Sequence, residues 1–143
     1  MPDGQPSGPG PLFSDIDHVG IATPDLDEAL ALYAGIFGLA ISLRATLEDQ
    51  GAEVAMLECG DRRIELLAPI LDDSPVGKFL AERGPGLHHV AYRVPDIAAA
   101  LARCRAAGLQ LVGETPRPGA GGHLVAFLHP RATGRVLIEL VEA

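Results

Sequence analysis

The amino-acid sequence predicts an α+β fold built from two tandem βαβββ modules. Three observations carry this. The chain repeats itself: "DHVGIATPDLDEAL" (17–30) lies over "HHVAYRVPDIAAAL" (88–101), "VAML" (54–57) over "VAFL" (125–128), and "RIELL" (63–67) over "VLIELV" (136–141). Similarity in the same order at several places marks a duplicated unit. Each copy opens with an alternating, β-branched run, as a strand does. In each copy Pro-Asp follows that run, with Asp placed to cap a helix.

In the first copy "IDHVGIA" reads as a strand, followed by a helix capped by Asp25 with Glu28 at its third position. Leu26, Ala29, Leu30 and Tyr33 form its apolar face, and Gly38 ends it. Strands are expected near 39–48, 52–59 and 62–68. In the second copy a strand is expected at 87–94, a helix from Asp96 to about Ala107, and strands near 109–115, 123–128 and 135–142. Between the copies, "DSPVGKFLAERG" (73–84) reads as a short helix capped by Ser74 with Pro75 in its first turn. The expected organisation is a flexible tail over 1–13 and one domain over 14–143. That domain divides into module one (15–68), a linker (69–86) and module two (87–142).

Composition narrows the function. The 143 residues are 48% hydrophobic and 21% charged, enough to bury a core. A net charge of -8 argues against nucleic acid or an anionic membrane as the main partner. No apolar run approaches the length of a membrane span. The opening "MPDGQPSGPGP" lacks the basic and apolar regions of a signal peptide, and a cytoplasmic protein is expected. Cys59 and Cys104 belong to no C-x-x-C pair and read as free thiols.

Strand periodicity then sorts the polar residues. Strict alternation puts Ile16, His18, Gly20 and Ala22 on one face, and Leu87, His89 and Ala91 on one face of the equivalent strand. His89 is the counterpart of His18. His88, over Asp17, is expected on the opposite face and dispensable for metal binding. A small residue, Gly20 or Ala91, follows each facing histidine by two positions and leaves room beside its ring. Glu65 and Glu139 sit in apolar strands, where an uncompensated carboxylate is costly. Two His and two Glu in repeat-related positions suit a divalent ion with N and O ligands. His123 and His129 lie at loop edges. The glycine-rich "RPGAGG" (117–122) reads as a loop able to cradle an anion with backbone N–H groups.

Over 15–142 these features resemble the vicinal oxygen chelate superfamily, which contains glyoxalases, bleomycin resistance proteins and dioxygenases. Within it, "DHVGIATPDLDEAL", "IELLAPILDDSPVGKFLAERGPGLHHVAY", "PRPGAGGHLVAFLHP" and "GRVLIELVE" resemble the methylmalonyl-CoA epimerase family. The resemblance implies a sheet curled into a cup around a divalent metal held by His18, Glu65, His89 and Glu139. Co2+ is the implied ion, with Mn2+, Ni2+ or Zn2+ as alternatives. It also implies a homodimer and inversion of C2 of a coenzyme A thioester through an enolate. Glu139 is expected to act as acid/base. For the second proton carrier the family pattern points to a glutamate at the position of Val54, with Glu53 one residue off. The candidates are Glu65, Glu53 and Glu48. Lys78, Arg83 and Arg117 are the cations placed to meet coenzyme A phosphates, and Gly121 and Gly122 belong to the expected anion-binding loop. Two rival readings share the fold: a glyoxalase I-like lactoylglutathione lyase and a non-catalytic small-molecule binding protein.

Overall fold

The structure is a computed structural model that describes residues 10–143. Its elements run β1 (Asp15–Ala22), α1 (Leu26–Leu30), β2 (Ala40–Leu47), β3 (Ala52–Cys59), β4 (Arg62–Pro69), α2 (Pro75–Arg83), β5 (Gly86–Val94), α3 (Ile97–Ala106), β6 (Leu111–Pro118), β7 (Leu124–Leu128) and β8 (Ile138–Glu142). The two βαβββ modules are present, with α2 between them. Residues 1–9 of the expected tail lie outside the described residues. Leu12 and Phe13 pack against the α3 layer, and the Phe13 ring stacks on Tyr92 at 4.1 Å.

Local chemistry starts each helix as expected. The Asp25, Asp96 and Ser74 side chains accept from the backbone N–H groups of Glu28, Ala99 and Gly77. After Leu30 the first helix widens into a π-helical segment, Ala31–Ile36, and Gly38 at φ 75° follows it.

The strands form one sheet in the order β2-β3-β4-β1-β5-β8-β7-β6. The modules meet where β1 pairs antiparallel with β5, and each of these strands runs parallel to the last strand of its own module. At the far ends, β2 touches the Ala120–Gly122 turn beyond β6, so the sheet is curled into a cup. Helices α1 and α3 cover the outer face. Leu26 and Leu30 pack on Ala55, Leu57 and Leu66, while Ile97, Leu101 and Cys104 pack on Leu128 and Leu140. The inner face carries Ala22, Val54 and Leu67, with Val76 of α2 packed on them, in one half and Ala91, Val125 and Val141 in the other. Both cysteines are free, Cys104 in the core and Cys59 at the surface.

The β1–β5 register is symmetric about the Val19–Val90 pair. His18 lies opposite Ala91 and Gly20 opposite His89; Ile16 pairs with Tyr92 and Ile21 with Leu87. Two register shifts interrupt it, one at Asp17 and one at His88. Each inserts an extra residue, a β-bulge, immediately before the histidine expected to face the cup. The bulges overturn part of the face assignment. Ile16 and Leu87 share a face with Tyr92 and Ile21, away from the cup, and Asp17 and His88 are turned toward the histidines that follow them.

Candidate metal centre

Cross-strand register assembles the site. On one row Glu65 of β4 lies beside Gly20 of β1, with His89 of β5 on the other side of Gly20. On the next row His18 of β1 and Glu139 of β8 flank Ala91 of β5. The second row is the first turned about the Val19–Val90 axis. Four polar side chains therefore converge over two residues that barely have side chains.

All four are buried, and their ligand atoms lie within 4.8 Å of one another. His18 Nε2 stands 3.2 Å from His89 Nε2. Glu139 Oε1 is 3.2 Å from His18 Nε2 and 2.9 Å from His89 Nε2; Glu65 Oε1 is 3.6 and 3.3 Å from the same atoms. Two imidazole nitrogens and two carboxylate oxygens facing one point suit a divalent ion of the first transition row.

Each histidine is held from behind. His18 Nδ1 meets Asp17 Oδ2 at 2.7 Å. That carboxylate also accepts from Arg63 Nη2 at 2.6 Å and Arg93 Nε at 2.8 Å. His89 Nδ1 meets His88 Nδ1 at 3.0 Å, and the His88 ring rests edge-on to Phe79 at 4.8 Å. Fixing Nδ1 in this way leaves Nε2 to serve as the ligand atom.

The two halves are not identical. A Cβ on Gly20 would overlap the Cε1 and Nδ1 atoms of His89, whereas the equivalent position carries Ala91. Glycine is required there because the His89 ring lies against its backbone.

Electrostatics follow from burial among opposite charges. Burial by itself depresses an imidazole, but hydrogen bonds donated by His18 to Asp17, Glu139 and Glu65 raise it to about 11. His89 rises to about 9 on the hydrogen bonds of Glu139 and Glu65, again against its burial. Burial favours protonated Glu65, yet the two histidines bring it down to about 2, and Glu139 is lowered by the same partners. Burial and the neighbouring His89 charge take His88 down to about 4. Asp17 stays well below the usual carboxylate range: its burial is outweighed by His18, Arg93 and Arg63. Among the described residues no buried side-chain nitrogen or oxygen lacks a hydrogen-bond partner.

A cavity of about 340 Å³ opens over Glu65, His89 and Glu139. Its walls are mostly apolar, from Leu47, Leu67, Val76, Val125 and Phe127, with His88 and Arg117 among the polar groups. A second, shallower depression behind Asp17 is lined by Arg63, Arg93, His123 and Gly121.

The other expected site residues are placed as follows. Glu53 is separated from the quartet: β3 turns it to the outer face, where Arg44 Nη2 holds it at 2.6 Å and bridges to Asp27. Val54 faces the cup beside Leu67. Glu48 is exposed in the Glu48–Gln50 turn, and its neighbours Asp49 and Gln50 line the cavity instead. Arg117 reaches the cavity wall. Lys78 is exposed on α2, and Arg83 lies over the Phe79 ring at 5.6 Å. The glycine-rich loop does not offer the expected cradle in full. The Gly119 and Gly122 N–H groups are spent on His123 O and Gly119 O, and Gly121 lines the second depression. His129 caps its own turn by accepting from Arg131 N. Asp17 and His88 were the residues that strand alternation missed, because only the bulges bring them to the site.

Residues 17–127 match the Glyoxalase/Bleomycin resistance protein/Dioxygenase superfamily. The chain is 39% identical over 132 residues to the ethylmalonyl-CoA/methylmalonyl-CoA epimerase of Cereibacter sphaeroides, covering 90% of this chain and 98% of that one. It superimposes on the methylmalonyl-CoA epimerase of Mycobacterium tuberculosis with a TM-score of 0.88 at 41% identity, covering 92% and 89% of the two chains. A variant of the Streptomyces coelicolor methylmalonyl-CoA epimerase in complex with 2-nitronate-propionyl-CoA superimposes with a TM-score of 0.87 at 37% identity, covering 92% and 98%. No helix among the described residues is long and apolar enough to cross a membrane.

Gly20→Ala should fold but lose at least about tenfold in affinity for Zn2+ in a competitive chelator titration, because His89 must swing out of the quartet. Unchanged affinity would show that the His89 ring does not depend on Gly20. The charged pairs also set a pH window. The histidine contributions are full below 6.5 and fade as pH rises through about 9 and about 11. The Glu65 contribution is full above 4.5 and fades as pH falls through about 2. His88, held near 4, makes stability fall as pH drops below 6.5, so with chelator the melting temperature should be highest near pH 6.5. With Zn2+ the optimum should move to higher pH, since the ion competes with protons for the imidazoles. A chelated protein that gains stability above pH 9 would contradict the pairing.

Proposed function

The chain belongs to the glyoxalase/bleomycin resistance protein/dioxygenase superfamily, and on that premise we propose that it is a methylmalonyl-CoA epimerase. The observation that carries the reading is the buried quartet, with two carboxylates related by the Val19–Val90 axis at the floor of an apolar cavity. The names of the relatives at 39 and 41% identity support the same substrate.

Inverting C2 requires taking a proton from one face of the carbon and returning one to the other. The cost lies in the negative charge that spreads onto the thioester oxygen as the proton leaves. His18, Glu65, His89 and Glu139 would hold a divalent ion, which would supply Lewis-acid stabilisation of that charge; we propose Co2+, with Mn2+, Ni2+ and Zn2+ as competitors.

Proton transfer falls to this chain's carboxylates. Glu139 is one carrier. Glu65 is proposed as the other: Glu53 lies behind the sheet, and Glu48, next to the cavity-lining Asp49 and Gln50, is the remaining candidate. The pair comes from equivalent strands, β8 and β4, and so can address a bound C2 from opposed sides. The apolar walls exclude water and limit loss of the intermediate. Arg117 on the cavity wall and Lys78 on α2 are proposed to meet coenzyme A phosphates. The same reading makes the working protein a cytoplasmic homodimer, with Ile36 and Phe37, 76% and 58% exposed, as apolar surface for association.

Proton NMR in D2O should show deuterium wash-in and inversion at C2 of methylmalonyl-CoA, abolished by chelator. Methylglyoxal with glutathione should give no lactoylglutathione; turnover of that pair alone would favour the lyase. Glu139→Gln should cut exchange by about 10²-fold or more, and Glu65→Gln should slow exchange from one epimer more than from the other. Full exchange from both epimers in Glu139→Gln would remove its assigned role. Sedimentation velocity should give twice the 14.9 kDa chain mass; a monomer at catalytic concentrations would refute the dimer.

A further inference from the structure

The histidine expected to face away does not. We infer that His88 is a positioning residue for the metal centre: its Nδ1 accepts the hydrogen bond that holds His89 with Nε2 aimed into the quartet. This rests on the reading of the quartet as a metal site.

The repeat places His88 over Asp17, and both sit on bulges in the same β1–β5 pairing. Each meets Nδ1 of the histidine that follows it, at 3.0 Å for His88 and 2.7 Å for Asp17. For His89 to present a bare Nε2, its proton must sit on Nδ1 and be donated onward. His88 Nδ1 is then the bare nitrogen, with the His88 proton on Nε2. The ring is held edge-on by Phe79, which Arg83 covers. Both residues belong to α2, so the segment between the modules supports the site.

The two partners differ in chemical type, one a carboxylate and the other an imidazole, and their locations explain why. Asp17 lies behind the quartet, beside the second depression, clamped by Arg63 and Arg93. His88 lines the cavity that the substrate enters. A carboxylate there would repel a malonyl thioester, which carries its own carboxylate. An imidazole gives the same orientation without bringing a carboxylate into the cavity.

Nitrogen-15 NMR of the wild-type protein with Zn2+ should show His89 protonated on Nδ1 and His88 bare on Nδ1. The opposite protonation, or Zn2+ bound through His89 Nδ1, overturns the inference without any variant. His88→Phe keeps a ring against Phe79 but removes the acceptor, and should weaken Zn2+ binding about 10–100-fold. His88→Asn puts an amide oxygen near the same place and should restore affinity to within a few-fold. His88→Asp should also bind Zn2+ but raise KM for methylmalonyl-CoA, with less change in kcat. A folded His88→Phe that binds Zn2+ as wild type does, with the His89 signals unmoved, refutes the role of His88 and leaves the metal site standing. A wild-type protein that takes up no divalent ion removes both.

Discussion

The pairing of β1 with β5 fixes the position of every group in the site. One residue pair, Val19 with Val90, lies on the local two-fold axis, and the register runs out symmetrically from it. This brings residues far apart in the chain into two facing rows. It also closes eight strands into one sheet, so the outer helices and the inner cavity are two sides of the same layer.

The symmetry would be costly if each module had to bury its own polar groups alone. A buried carboxylate or imidazolium is tolerated only with close partners. Here Glu65 and Glu139 each reach histidines from both modules, and Asp17 draws Arg63 and Arg93 from β4 and β5. The seam is therefore held by charge as well as by backbone pairing. Separating the modules would take one histidine from each of Glu65 and Glu139 and Arg93 from Asp17.

Much of this was legible in the sequence. The repeat exposed His18 and His89 as equivalents, and Glu65 and Glu139 were conspicuous because acids seldom interrupt apolar strands. Asp25, Ser74 and Asp96 announced their helices because capping is local chemistry. What escaped depends on pairing between strands. A bulge is a difference in count between two strands, so neither "IDHVGIA" nor "GLHHVAYRV" reveals one when read alone. Strict alternation consequently misplaced Ile16, Leu87, Asp17 and His88. The alternation of β3, which has no bulge opposite β4, correctly put Glu53 and Val54 on opposite faces, but sequence spacing could not say that Arg44 waited for Glu53 on the outer one. In the glycine-rich loop the backbone donors were counted as free, whereas Gly119 and Gly122 use theirs to close the turn.

The Gly20–Ala91 difference has a stereochemical meaning. A ligand set with perfect two-fold symmetry would present the same surroundings to a substrate and to that substrate rotated by half a turn. One methyl group, present at Ala91 and forbidden at Gly20, breaks the equivalence at the floor of the cup, and the imidazole of His88 against the carboxylate of Asp17 breaks it again behind the rings. A molecule with a long tail would then meet different surroundings in its two orientations, while the two acids stay related by rotation about the same axis. In the proposed reaction, that combination would let a single binding pose serve either handedness at the reacting carbon.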